Sequence, residues 1–181
     1  SYAPGDKKFD FDVNQISITP AREKVVDFSS PYYTAGQGVL VKKGSDLDGI
    51  TSLDELKDAT IGVQIGTTSL DAVNEQIDPS TEPKVFDNSN DVVSAFKQDQ
   101  VDAIVVDVPT AIYLRDVELS DTVVAGQFAD PGGDKWGALL AKDSSLTDCV
   151  SAAVQTLEED GTLDQLNQEW MSDAAKAPEL S

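Results

Sequence analysis

Apolar positions along this chain switch repeatedly between a two-residue and a three-to-four-residue period. FDFDVNQISI (9–18) alternates as a strand would, and Pro20 closes it into a turn. VLVKK (39–43) reads as a second strand. Ser52 with Glu55 forms a capping box ahead of a short helix ending near Asp58, and TIGVQ (60–64) has the pattern of a buried strand. After a turn at Gly66, Thr67 and Thr68 are N-cap candidates for a helix carrying Leu70, Val73 and Ile77 on one face. PKVF then predicts a strand, and residues 90 to 98 a helix. DAIVVD is an unbroken apolar run of the kind found in strands covered on both faces, and it ends on Asp107. Pro109 suits the first turn of another helix, and TVVAG and WGALLAK (136–142) read as further strands. Leu146, Val150, Ala153 and Leu157 mark a helix that Gly161 interrupts, and TLDQLNQEW continues as a second. SDAAKAPELS reads as a disordered tail. The βαβα alternation from 60 to 126 predicts an α/β fold with an open, mostly parallel sheet.

Composition narrows the function. The 181 residues, 40% hydrophobic, suffice for one ordinary core or two small lobes. Thirteen basic against 33 acidic residues give a net charge of -20, which repels phosphate backbones and anionic lipids and argues against a nucleic-acid partner. Cys149 is the single cysteine, so no intrachain disulfide forms, and its apolar-periodic setting predicts a buried helix residue. Zero histidines exclude Ser-His-Asp and Cys-His nucleophile systems and the imidazole-based zinc sites. No cofactor signature and no catalytic pair is visible. Glu158-Glu159-Asp160 and Asp46/Asp48 read as solvated loop or helix-end acids, and Trp136 and Trp170 as core. No apolar run approaches the roughly 18 to 20 residues that span a bilayer, and SYAPGDKKFD has no apolar signal region.

Ligands of open α/β sheets gather at strand carboxyl ends. Two features here fall at such ends: the Gly66-Thr67-Thr68 turn, with the amides of a helix N-terminus, and Asp107. Amide donors beside a carboxylate match the two charges of a zwitterionic amino acid. Taken alone, Gly-Thr-Thr before a helix is usually plain capping, and a strand-end aspartate such as Asp107 ahead of Pro109 is often an N-cap.

SITPAREKVVDFSSPYYTAGQGVLVKKGS resembles the signature segment of the bacterial family 3 solute-binding proteins, the amino-acid receptors of polar amino-acid ABC importers. SLDELKDATIGVQIGTTS, FKQDQVDAIVVDVPTA, WGALLAKDSSL and VQTLEEDGTLDQLNQEW follow in similar order and spacing, from about residue 5 to 170. The resemblance implies a type II periplasmic-binding-protein-like fold of two lobes closing over a ligand. Residues 1–41 and 136–181 would form an incomplete first lobe, because relatives begin with two further βα units, and 42–135 the second. An incomplete lobe exposes apolar sheet surface and invites dimerisation or strand exchange.

By the same resemblance Arg22 forks the α-carboxylate, a geometry lysine cannot copy, while Ser17 and Gln15 offer a hydroxyl and a main-chain carbonyl. Thr68 with Thr67 holds the same carboxylate through amides, Asp107 pairs with the α-ammonium, and Gln64 reads the side chain. Tyr32 and Tyr33 pack the hinge. The implied partners are an amino acid and an ABC permease, the compartment extracytoplasmic (periplasmic or a cell-surface lipoprotein), and the cofactor none. Two alternatives share the fold: a cyclohexadienyl or arogenate dehydratase-like enzyme, and the sensor module of a receptor.

Overall fold

In the computed structural model, residues 8–129, 133–170 and 177–181 are described. Contacts divide the chain into two units, Ser1–Ala35 with Gly133–Ser172, and Gly36–Gly132 with Asp173–Ser181.

The second unit is built on a five-stranded sheet in the order β5-β4-β6-β3-β7. Its strands are β3 (Gln37–Lys42), β4 (Ile61–Gln64), β5 (Lys84–Phe86), β6 (Ala103–Asp107) and β7 (Thr122–Phe128). Four of the five strands run the same way. β4 runs parallel to β5 and β6, and β7 shares their direction, as the alternation over 60–126 predicts, but β3 is inserted antiparallel between β6 and β7, which makes the sheet a mixed one. Alternation along β3 splits the core: Val39 and Val41 join Val105, Ile61 and Val63 on one face, while Leu40 joins Ile104, Val93 and Phe96 on the other. The first face is covered by α2 (Thr68–Ala72), which widens into a π turn at Val73–Ile77, and the second by α3 (Ser89–Lys97). Helix α4 (Val108–Tyr113) follows β6. The expected helix before Asp58 is a single 3₁₀ turn, Leu53–Leu56, with the Ser52/Glu55 capping box in place.

The first unit holds an antiparallel sheet in the order β1-β8-β2, from β1 (Phe11–Asp12), β2 (Val26–Ala35) and β8 (Asp134–Ala141). The strand expected over 9–18 shrinks to β1, because Gln15 turns into the left-handed region (φ 51°) and only Ser17 pairs again, with Trp136. β2 is absent from the sequence reading, since Ser-Ser-Pro inside VDFSSPYYTA carries the chemistry of a turn. The strand absorbs Pro31, which cannot donate, by shifting register on either side of it.

Helices α5 (Thr147–Glu159) and α6 (Thr162–Trp170) have no buried residue. α5 leans on β2, tied by Ser30 N to Ser151 Oγ (3.2 Å) and Gln155 Nε2 to Ser30 Oγ (2.9 Å), and its far side faces solvent. Cys149 lies on that side, so its predicted burial is corrected to exposure. Trp170, predicted as core, is 72% exposed, whereas Trp136 is buried on β8 beside its β2 partner Tyr33, the two rings 4.8 Å apart.

At the foot of this sheet, Asp27 accepts from Lys142 Nζ (2.8 Å), the Asp143 amide (2.9 Å) and Thr147 Oγ1 (3.3 Å). The hydrogen bond from Lys142 is the main reason its carboxyl titrates below the ordinary range. A depressed folded value adds stability above the unfolded value, about 4, and that stability is lost as pH falls through the folded value. The stability gap between wild type and Asp27→Asn is therefore expected to be widest near neutrality and to close from about pH 4 downward. Urea titrations at stepped pH check this, and a gap independent of pH would sink it.

The expected disordered tail is corrected in part: residues 171–176 lie outside the described residues, but 177–181 dock on β7. Gln127 N donates to Pro178 O (2.7 Å), Leu180 N to Gln127 O (2.8 Å), Gln127 Nε2 to Ala177 O (3.0 Å) and Leu53 N to Ser181 O (3.3 Å). Leu180, 6% exposed, enters the core over Gly126, where an added Cβ would meet its Cγ at 2.5 Å. The segment thereby covers the open edge of the outer strand β7.

Candidate functional site

In the second unit the candidate residues gather at one end of the sheet. β4 and β6 are parallel neighbours, so their carboxyl ends lie side by side, about 5 Å apart by ordinary strand spacing. Gln64 closes β4, and Gly66, in the left-handed region (φ 72°), reverses the chain into α2. Thr67 is the N-cap: its Oγ1 accepts from Leu70 N (3.3 Å) and donates to Gln64 O (2.8 Å). Thr68 is the first helical residue, its amide among those at the helix start. Gln64 Oε1 accepts from Ser89 Oγ (2.7 Å), which fixes the amide against the start of α3 and leaves Nε2 as its donating end.

Asp107 ends β6 in the N-cap position of α4, yet its side chain makes no capping bond. Capping therefore does not explain it. Its Oδ1 accepts from Nε2 of Gln37 at 3.1 Å.

In the first unit Arg22, Ser17 and Gln15 share one short loop. Thr19 caps the four-residue helix α1 (Pro20–Glu23) by accepting from Arg22 N (3.3 Å), with Pro20 setting the first turn. The guanidinium folds back, Nη1 donating to Ser17 O at 2.9 Å. Ser17 is buried, 4% exposed, by its bridge to Trp136. Gln15 bonds through its backbone to the Tyr32 hydroxyl, whose pKa burial pushes above the ordinary tyrosine value, against the effect of that bond. The structure thus brings Arg22, Ser17 and Gln15 together in one unit, and Gln64, Thr67, Thr68 and Asp107 together in the other.

Gln37 was missed by sequence reasoning. The available signal was a lone amide at the head of QGVLV, a run otherwise fit for a central strand. Among the described residues no group of three or more His, Cys, Asp or Glu is placed to hold a metal ion, and no helix is long and apolar enough to cross a membrane.

Comparison with known proteins bears on the family and the fold. The arginine-binding extracellular protein ArtP of Bacillus subtilis is 32% identical over 170 residues, 92% of this chain and 64% of that protein. The L-cystine-binding protein TcyJ of Escherichia coli is 29% identical over 91% of this chain and 60% of its own length. The chain thus spans somewhat less than two thirds of these curated relatives. Among solved structures, an ancestral arginine-binding protein bound to arginine matches with a TM-score of 0.72 at 34% identity, over 90% of this chain and 72% of that one. A mutant of ArgBP from T. maritima matches with a TM-score of 0.72 at 31% identity, over 92% and 70%. The fold is that of the type II periplasmic binding proteins, of which the chain covers about 70%. The sequence profile of one family matches residues 3–173, and the chain belongs to that family, the bacterial extracellular solute-binding proteins, family 3.

Proposed function

We propose that this chain is the greater part of an extracytoplasmic receptor that captures a polar amino acid and delivers it to an ABC importer, without chemistry of its own. The observation that carries the reading is the sheet end of the second unit. There a helix start rich in amides and a carboxylate not used for capping lie on adjacent parallel strands, matching an α-carboxylate and an α-ammonium. Within the first unit, Arg22, held by the Ser17 carbonyl, is likewise a group able to receive a carboxylate. Such a ligand would favour whichever conformation of the chain makes the most contacts with it. Relatives named for arginine and cystine support a polar ligand, and arginine is the first to try.

The test is a thermal-shift screen of the chain against the twenty amino acids. A ligand at a hundredfold excess over its Kd stabilises by about 2.7 kcal/mol, so a subset should raise the melting midpoint clearly. A cooperative melt that no amino acid shifts would overturn the reading. Turnover of arogenate by the same sample would replace it with the dehydratase alternative. Self-association through the first unit belongs to the proposal, because Phe11, Val13, Leu166 and Trp170 expose apolar surface there. Light scattering that finds only monomer at micromolar concentration removes that part.

A further inference from the structure

Gln37 is a polar residue at a position built for an apolar one. It opens β3, is fully buried (0% exposed), and heads the face that continues as Val39 and Val41. The antiparallel register sets Val41 opposite Ala103, Val39 opposite Val105 and Gln37 opposite Asp107. Directly opposed residues on one face have Cβ atoms about 4.5–5.5 Å apart, so register alone brings this amide and this carboxylate together. Nε2 donates to Asp107 Oδ1 at 3.1 Å, the one orientation in which an ionised carboxylate, an acceptor only, can be served. The other end of the amide, Oε1, is buried and has no hydrogen-bond partner among the described residues. A sealed acceptor without a donor lowers stability, and a methionine of nearly the same shape would fill the strand without that cost. Packing therefore does not account for glutamine here, whereas the bond to Asp107 does.

We propose that Gln37 is a positioning residue, whose amide holds one oxygen of the Asp107 carboxylate so that the group stays oriented for a ligand ammonium. The proposal rests on the reading of Asp107 as the ammonium partner. It adds that discrimination for an α-amino group is set by a residue in the body of the sheet, away from the loops.

The experiment compares wild type with Gln37→Met in three readouts: the unliganded melting midpoint, the affinity for L-arginine, and the affinity for 5-guanidinopentanoate, which is arginine without its α-amino group. The midpoint is expected to hold or rise. Affinity for arginine should fall about tenfold, the effect of one charge-assisted hydrogen bond, while affinity for 5-guanidinopentanoate stays level. In an Asp107→Ala background the same substitution should change nothing further. A lowered midpoint with both affinities reduced alike would make Gln37 merely structural and overturn the proposal, as would an unchanged affinity for arginine. If wild type binds no arginine, the arginine assignment fails separately, and Gln37 is judged without ligand by NMR. Its side-chain amide protons should exchange slowly and lose protection in Asp107→Ala, and rapid exchange in the wild type would overturn the proposal.

Discussion

Arg22→Lys is expected to weaken binding of the stabilising amino acid by about 100-fold or more, nearly as far as Arg22→Ala, because truncating one partner of a desolvated, hydrogen-bonded charge pair costs about 2–5 kcal/mol. The charge survives in the lysine variant, but the geometry does not. Arg22 stands on a helix only four residues long, aimed by the Thr19 cap and Pro20, and one of its terminal nitrogens is already given to the Ser17 carbonyl. A planar guanidinium can serve that carbonyl and still present donors in the same plane to a carboxylate. An ammonium on a flexible stem has no such fixed second direction. Calorimetric titration of the three proteins with the amino acid found in the screen decides it. A lysine variant within threefold of wild type would show that charge alone suffices, and would remove the fork from the mechanism.

The second large effect concerns stability. Phe96→Ala should cost about 3–5 kcal/mol, much of the margin of an ordinary domain. Its ring is 1% exposed and is enclosed by Leu40, Val92, Val93, Val101, Ile104, Leu114 and Leu119, contributed by helix, strand and loop segments alike. Lys42 lies 5.7 Å from the ring centroid and pairs with Asp99, but Asp99 is largely solvated and Lys42 partly so, and the pair adds little. Trp170→Ala is the matched control: a larger aromatic, 72% exposed, whose removal should stay within about 0.5 kcal/mol. Urea unfolding of both variants provides the comparison. A Phe96→Ala cost below about 1 kcal/mol would mean that this face of the sheet collapses to fill the space.

The contrast between those two aromatics shows what was legible in the sequence. Periodicity placed β4, β6, α3, α5 and α6 well, since each is a run whose pattern is decided within the run itself. Asp107 and the Thr67-Thr68 turn were found in the same way, from the ends of such runs. Burial was another matter. Cys149 and Trp170 sit on apolar-periodic helices, but an apolar stripe declares only what a helix can bury, and the described part of the first unit offers α5 one sheet strand and one helix to lean on. β2 was hidden because its Ser-Ser-Pro core has the local chemistry of a turn, which pairing with β8 overrides. Gln37 was hidden for a related reason: its importance lies in the residue opposite it across the sheet, and register is a property of two strands that neither strand states alone.

The docked segment 177–181 bears on the order in which the molecule can be completed. Leu180 belongs to the same core as Val39, Ile61 and Val105, and Ser181 receives a bond from Leu53, yet the whole of α5 and α6 intervenes between that segment and β7. As the chain leaves the ribosome, the second unit's sheet can form while its outer edge stays bare, and the gap over Gly126 closes only after residue 180 has emerged and paid the entropy of closing a long loop. Until then the nascent second unit carries an unpaired strand edge, and this is the interval in which chaperones have a surface to hold.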